Sequence, residues 1–242
     1  MVASTIALWA TPRTASTAFE RMMIERGDVR VVNEPWSRFY YYSADGPSDR
    51  FDEVLPGADP ASIRAGLVPD GERPTFFKDM AYHPAGHLEA ELRRPDAVHT
   101  FIIREPARAL ASLARRWPDF TWDEAGYAAQ ARAVEVVADQ TGSTPTIIDS
   151  DELRADPGGV VRAWCGAVGL EHRPEALTWE PGLPPELDLW ADWYDGAAAS
   201  TGFLPPSASP EPVLDDPWLA EAVARARPIY DALFARRLAP SP

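Results

Sequence analysis

An arginine and a run of small, mostly hydroxyl-bearing side chains stand between an apolar segment and a helix-forming segment near the start of the chain. The run comprises Arg13, Thr14, Ala15, Ser16 and Thr17. If the turn joins a strand to a helix, its backbone N–H groups face outward at the positive end of the helix dipole, and the guanidinium adds a permanent charge. The turn therefore predicts a phosphate or sulfate site. An ordinary turn in which Thr14 or Ser16 caps the helix would show the same pattern.

A second arginine follows an apolar run farther along the chain. Arg104 comes directly after residues 97–103, and Pro106 suits the first turn of the helix that follows. Ser112 lies about two turns into that helix, which rises about 1.5 Å per residue. This spacing predicts that Arg104 and Ser112 close on one ligand. At least one of the nearby arginines Arg108, Arg115 and Arg116 is expected to belong to a solvated face instead.

Three further side chains are candidates for proton transfer or charge stabilisation. Glu34 follows the β-type run 29–32, and Lys78, the only lysine, follows residues 75–77. At the carboxyl ends of parallel strands both would face the anion turn. His83 and His87 have metal-ligand spacing but lack a third ligand, so no metal site is predicted.

Five short apolar runs alternate with helical segments and supply the scaffold for these side chains. The runs are residues 5–10, 29–32, 75–77 leading into 78–80, 97–103 and 145–149. The predicted helices include 15–26, 60–67, 122–140 and 160–168, with shorter stretches at 187–194 and 217–237. Alternation of this kind predicts an α/β fold with a central parallel sheet of about five strands. We expect a single domain, with residues 1–170 as its core and 171–242 as an irregular, partly helical covering segment.

Composition narrows the classes of partner. The chain has 242 residues and a formal net charge of −14, which disfavours nucleic acid and anionic membranes. Cys165 is the only cysteine, so no internal disulfide is expected. With no signal-like segment and no long apolar run, the sequence predicts a cytoplasmic protein, monomeric or homodimeric.

Three motifs, in order along the chain, resemble one family. Residues 10–17 are similar to the 5′-phosphosulfate loop of bacterial and other sulfotransferases that use 3′-phosphoadenosine 5′-phosphosulfate (PAPS). Arg104 with Ser112 resembles that family's 3′-phosphate motif, and residues 147–157 resemble its YEDL…DP segment. The resemblance implies a P-loop-like fold in which Arg13 and the amides of 14–17 hold the sulfuryl end. It also implies that Arg104 and Ser112 bind the 3′-phosphate, and that Lys78 adds charge at the leaving phosphate. No metal is required.

The chain departs from the family pattern at three places. Ala15 replaces the usual glycine, which we expect to require a negative φ at that residue. The glycine-rich segment near the C-terminus is missing, so Ser200 and Thr201 are predicted to contact the cofactor in its place. Met80 occupies the position of the usual catalytic histidine. Glu34 is therefore the first candidate base and His83 the second.

The acceptor is predicted to be a small molecule, because the net charge disfavours a polyanionic glycan. Aromatic residues at 36–42, 190, 193 and 194 could line a flat pocket for an aromatic or sugar-like compound. Two other functions fit parts of the pattern. One is a kinase or nucleotide hydrolase using Mg-ATP, which would need a lysine in the first loop. The other is a catalytically silent nucleotide-binding protein.

Overall fold

A five-stranded, all-parallel sheet forms the centre of the computed structural model, which describes residues 4–206, 212 and 214–240. Its strand order is β2-β3-β1-β4-β5. The strands are β1 (Thr5–Ala10), β2 (Arg30–Asn33), β3 (Thr75–Met80), β4 (Ala97–Ile103) and β5 (Thr146–Asp149). The predicted α/β fold with a helix-flanked parallel sheet is confirmed.

The central strand β1 is fully buried on both faces, as expected for a parallel sheet covered by helices. Its side chains alternate between two cores. Trp9 points to a core that includes Phe77, Phe101 and Leu110. Ile6 and Leu8 point to the opposite core, whose members include Phe19, Phe76 and Trp164.

Eleven α-helices and three 3₁₀ segments are found among the described residues. The helices are α1 (Ser16–Arg26), α2 (Pro35–Tyr42), α3 (Pro60–Gly66), α4 (Leu88–Leu92), α5 (Pro106–Arg116), α6 (Trp122–Ala125), α7 (Tyr127–Thr141), α8 (Ser150–Ala155), α9 (Pro157–Val168), α10 (Asp195–Ala198) and α11 (Pro217–Phe234). The 3₁₀ segments are Ala85–His87, Pro174–Leu177 and Pro185–Trp193. None of these helices is long and apolar enough to cross a bilayer.

The prediction of one helix over 122–140 is wrong. Gly126, with φ 79°, ends α6 and precedes α7. A Cβ at Gly126 would lie 3.2 Å from Cδ1 of Tyr82 and 3.3 Å from Cγ2 of Thr11. The chain therefore breaks where the helix pair packs against the turn after β1, and only glycine combines that φ with such close packing.

Two strand boundaries matter for the candidate site residues. β3 runs from Thr75 to Met80, as predicted, with Lys78 near its C-terminal end. β2 begins one residue later than predicted and extends to Asn33, which places Glu34 directly at its end.

The segment after α9 returns to the carboxyl edge of the sheet. Leu187, Trp190 and Tyr194 pack against Tyr41 and Tyr82 in a third, smaller cluster. Farther on, α11 lies against α5 and α7, and the Tyr230 hydroxyl donates to Oδ2 of Asp149 over 3.1 Å. The C-terminal part of the chain therefore covers the strand ends.

Candidate active site

The turn between β1 and α1 presents unpaired backbone donors to a cavity of about 300 Å³. Thr14 Oγ1 donates to the Thr11 carbonyl over 2.9 Å and so fixes the turn. Ala15 is the N-cap of α1 and offers no side-chain acceptor to the first amides of the helix. Residues 12–18 line the cavity. The positive end of the α1 dipole thus faces the cavity uncapped, as an anion site requires.

The expectation that Ala15 keeps a negative φ is wrong. Ala15 has φ 61° and ψ 17°, in the left-handed region, and Arg13 has φ 66°. Left-handed backbone costs a non-glycine residue roughly 1–2 kcal/mol because Cβ crowds the carbonyl oxygen. The turn adopts this conformation despite the cost, which is a common feature of functional loops.

The structure brings Arg13, Arg104 and Ser112 together. Arg13 Nε donates to Ser112 Oγ over 3.1 Å, and Arg104 Nη1 donates to the Arg13 carbonyl over 2.7 Å. Both arginines line the cavity. Burial, reinforced by the positive charges of Arg115 and Arg116, lowers the pKa of Arg13, and burial also lowers the pKa of Arg104.

Counter-charge is sparse around these two arginines. Within the described chain, Arg13 forms no ion pair, and the nearest carboxylate oxygen to Arg104 is Asp151 Oδ1, 3.7 Å from Nε. Arg104 Nε is buried without a hydrogen-bond partner in the same part of the chain. Arg13 is exposed and has no ion pair among the described residues, while Arg104 is partly buried with little compensation, and this arrangement favours an anionic ligand.

Of the two C-terminal candidates, only Ser200 lines the cavity. Its hydroxyl donates to the Ala197 carbonyl over 2.8 Å and accepts from Trp179 Nε1 over 3.3 Å. Thr201 is exposed, and its carbonyl accepts from the Trp179 backbone N–H. Arg154, which was not predicted from sequence, lines the same wall and donates to the carbonyls of Leu204 and Pro205 over 2.8 and 2.7 Å. Its place just after the fifth strand was the only available signal.

Glu34 and Lys78 belong to a buried charge network behind the cavity. The Lys78 ammonium contacts Glu34 Oε1 and lies 3.4 Å from Glu20 Oε2. The Tyr194 hydroxyl also donates to Glu34 Oε1 over 3.1 Å, and Asn33 Nδ2 donates to Glu20 over 2.7 Å. Glu34 lines the cavity, whereas Lys78 is fully buried and does not. Lys78 was predicted to present its charge to the anion site, but it lies behind the cavity wall.

The pKa values of the three ionisable groups in this network, Glu20, Glu34 and Lys78, are all shifted from their ordinary values. Burial alone would raise the pKa of Glu34, but Lys78 and His83 bring it below its ordinary value. Burial raises the pKa of Glu20 to about 7, against the opposing effect of Lys78. Burial would lower the pKa of Lys78, but the two carboxylates raise it well above the ordinary value. Glu34 is therefore a firmly ionised carboxylate and a weak base.

His83 faces the cavity with one free ring nitrogen. Its Nδ1 lies 2.6 Å from Oδ1 of Asp79, whose carboxylate also accepts from the backbone N–H groups of Trp36 and Met80. His83 is 1% exposed, and its Nε2 has no hydrogen-bond partner within the described residues. Burial raises the pKa of Asp79 while His83 opposes that effect. A proton on Nδ1 leaves the Nε2 lone pair unpaired with any described residue, as in a carboxylate-oriented general base.

His87 does not join His83. Its ring stacks on Trp36, with centroids 5.8 Å apart, and does not line the cavity. No group of three or more potential metal ligands lies close enough in the described part of the chain to hold a metal ion.

The cavity has two chemically distinct halves. The phosphate half contains the β1–α1 turn, Arg104, Arg154, Ser200 and residues 202–204. The acceptor half is defined by His83, Glu34, Glu124 and six aromatic side chains, which are Tyr41, Tyr82, Trp117, Trp190, Trp193 and Tyr194. Of these aromatics, Tyr82 and Trp117 were not singled out from sequence, because single aromatic residues in helices and turns resemble core positions.

The fold and this arrangement of anion turn, paired arginines and imidazole define a class of group-transfer enzyme. The sulfotransferase domain family matches residues 4–237, and the chain belongs to it. It is a sulfotransferase-domain enzyme.

Two solved structures share the fold. A sulfotransferase from Alicyclobacillus acidocaldarius is 17% identical with a TM-score of 0.54, and the match covers 96% of each chain. The sulfotransferase domain of the Synechococcus PCC 7002 olefin synthase is 18% identical with a TM-score of 0.52, over 91% of this chain and 94% of that one.

Curated relatives at higher identity come from Arabidopsis thaliana. Branched-chain-amino-acid aminotransferase-like proteins 2 and 1 are 30% and 28% identical over 210 and 209 residues. Each match covers 84% of this chain but 37% of the relative. The chain thus spans little more than a third of the length of these relatives.

Proposed function

We propose that this chain transfers a sulfuryl group from PAPS to the hydroxyl or amine of a small-molecule acceptor. The observation that carries the proposal is the pairing, within one cavity, of an undercompensated anion site with an unpartnered imidazole nitrogen. Arg13, Arg104 and the uncapped amides of α1 form the first, and His83 Nε2 forms the second. Membership of the sulfotransferase family supports it.

The residues of the phosphate half fit a doubly anionic nucleotide. Amides of the β1–α1 turn and the Arg13 guanidinium are suited to the 5′-phosphosulfate end, where charge is spread over several oxygens. Arg104, whose Nε lacks a hydrogen-bond partner among described residues, would hold the 3′-phosphate. Ser112 orients Arg13 through the 3.1 Å hydrogen bond, and Ser200 closes the wall. When bound, PAPS supplies a sulfuryl group activated by its attachment to a phosphate leaving group.

Among the side chains, His83 is the best placed to accept the acceptor's proton. Asp79 fixes the ring, and His83 lines the half of the cavity where the acceptor would lie. In the transfer, the acceptor oxygen or nitrogen forms a new bond to sulfur, and the bond from sulfur to the bridging phosphate oxygen breaks. The acceptor's proton passes to Nε2, and the electron pair of the broken bond stays on the phosphate. Glu34, ionised by its contact with Lys78, orients the acceptor instead of deprotonating it.

Arg13 and the turn would stabilise the charge that develops on the sulfuryl and bridging oxygens. Such loose transition states depend chiefly on positioning and electrostatic stabilisation. Lys78 acts indirectly, because its ammonium holds the Glu34 carboxylate in place from behind the cavity wall. We therefore assign Lys78 a positioning role.

Calorimetric titration with adenosine 3′,5′-bisphosphate, AMP and ATP, each with Mg²⁺ and with EDTA, tests the cofactor assignment. We expect metal-independent bisphosphate binding with little ATP binding. Arg104→Ala should weaken bisphosphate binding at least tenfold and AMP binding much less, since a charge-assisted contact to one phosphate is lost. Arg132→Ala, on the exposed face of α7, is the control. Equal weakening of both nucleotides by Arg104→Ala, or metal-dependent ATP binding, would overturn the assignment.

A further inference from the structure

The acceptor half of the cavity combines flat aromatic walls with carboxylates and contains no cationic side chain among its described residues. We propose that the acceptor is a planar aromatic alcohol, a phenol, that carries no negative charge. This inference rests on the proposed sulfuryl transfer and names its acceptor class.

The aromatic side chains of the acceptor half pack on one another into a preorganised aromatic wall. The Tyr41 ring lies edge-on to Trp190 at 5.5 Å and is inclined by 30° to Trp117 at 5.8 Å. Trp117 in turn packs on Trp193 at 5.0 Å. The Tyr41 hydroxyl is 3.0 Å from the Tyr82 hydroxyl, and Trp190 Nε1 donates to Ser37 Oγ over 2.9 Å. Since these rings are held before any ligand arrives, a flat ring can enter without reordering them.

Charge in the acceptor half selects against anions. Glu34 Oε1 accepts from Lys78 and Tyr194, but no described residue donates to Oε2, and Glu34 lines the cavity. Glu124 also lines the cavity, where Arg50 binds both of its oxygens. Arg50 lies over the Trp117 ring at 4.2 Å and is not part of the cavity wall. A carboxylate on the acceptor would therefore meet carboxylates with no cation to pair with it.

The position of His83 favours a phenol over an aliphatic alcohol. Its ring is packed against Tyr40, Tyr41 and Tyr82, with centroids 5.6, 5.4 and 4.4 Å away. Since His83 also lines the cavity, a planar ring bound in the acceptor half would lie beside its imidazole. Phenolic hydroxyls ionise near pH 10, so they give up a proton to an imidazole much more readily than an alkyl alcohol does.

A matched series of acceptors tests this inference. The compounds 4-ethylphenol, tyramine and 3-(4-hydroxyphenyl)propanoate share one hydroxyphenyl group and differ in charge, while 4-ethylcyclohexanol removes planarity. Binding is measured by calorimetry on the full chain saturated with adenosine 3′,5′-bisphosphate, and turnover is measured separately with PAPS. We expect the neutral and cationic phenols to bind at least tenfold tighter than the propanoate and the cyclohexanol. Equal binding of the propanoate, or of the cyclohexanol, would overturn the inference.

Two variants test whether the aromatic side chains of the acceptor half bind the phenol. Trp190→Leu should weaken 4-ethylphenol at least tenfold without changing bisphosphate binding. Trp122→Leu, whose ring packs under Arg225 outside the cavity, should leave both unchanged. Equal effects of the two variants would contradict the assignment. Phenol binding without sulfuryl transfer would count against the proposed function alone, whereas transfer only to non-aromatic acceptors would count against the acceptor class alone.

Discussion

At the scale of single residues, two side chains compete for the role of base. Glu34 was the first candidate from sequence because of its position at a strand end. In the fold it pairs with Lys78 and accepts from Tyr194, which keeps its pKa below the ordinary value. His83 instead has a carboxylate on one nitrogen and a free lone pair on the other. A base needs an available lone pair, and His83 Nε2 has no hydrogen-bond partner among the described residues, whereas Glu34 is held ionised by Lys78.

Replacing the imidazole should separate catalysis from binding. We expect His83→Gln to lower kcat by about 10²- to 10⁴-fold, the usual contribution of a general base, with bisphosphate affinity unchanged. His87→Gln, four residues on and outside the cavity, should have no effect. Glu34→Gln should lower kcat less than His83→Gln does. A folded Glu34→Gln enzyme without turnover, beside an active His83→Gln enzyme, would return the role to Glu34.

At the scale of elements, the start of α1 carries a measurable strain. Ala15 has φ 61°, and the left-handed cost of roughly 1–2 kcal/mol exceeds the 0.4–1 kcal/mol that glycine adds to the entropy of the unfolded chain. Ala15→Gly should therefore raise the free energy of unfolding by about 1 kcal/mol, measured by urea denaturation. Ala18→Gly, inside the same helix, should lower it by about 1 kcal/mol. A loss of stability in both variants would show that Ala15 is not strained.

Elements were predictable from sequence wherever periodicity decided them. The five apolar runs correspond to the five strands. Arg104 and Ser112 both contact Arg13, but Ser112 does not line the cavity, and their binding of one ligand stays a prediction. The break at Gly126 was not predictable, because a glycine inside a helix costs only about 1 kcal/mol and local pattern tolerates it. What forces the break is contact with Thr11 and Tyr82, which are distant in sequence.

The candidate site, too, was predictable from sequence only in part. A strand-end position was enough to propose Glu34 and Lys78 as neighbours of the anion turn. It could not reveal that Lys78 points away from the cavity, because that depends on Glu20 reaching across from α1. Arg154 as part of the cavity wall likewise follows from tertiary packing, whereas Asp79 pairs with His83 across only four residues, a local contact that was not singled out from sequence.

At the scale of the whole molecule, one buried network joins distant parts of the chain. Glu20 comes from α1, Lys78 from β3 and Glu34 from the start of α2, while Tyr194 comes from the C-terminal covering segment. The network therefore connects the helix of the anion turn to the wall of the acceptor half. Removing one member of such a buried group leaves uncompensated charge, which is costly.

Glu20 makes the stability of this network depend on pH. Burial raises its pKa to about 7, so the folded chain holds this proton more tightly than the unfolded chain does. The contribution of Glu20 to the free energy of unfolding is therefore complete below its pKa in the unfolded chain, near 4.5, and is lost as pH rises through 7. A difference of about 2.5 pKa units corresponds to at most about 3 kcal/mol. Glu20→Gln, which keeps the neutral form at every pH, should remove this loss.

Urea denaturation of both proteins at pH 5 and pH 8 measures the effect. The wild-type free energy of unfolding should fall more between these pH values than that of Glu20→Gln, by up to about 3 kcal/mol. Glu25→Gln, one turn farther along α1 and paired with Arg21 nearer the surface, should keep the wild-type difference. If wild type and Glu20→Gln lose the same stability, then Glu20 is ionised throughout. In that case Lys78 balances two carboxylates, and Lys78→Met should be far more destabilising than the loss of a single ion pair.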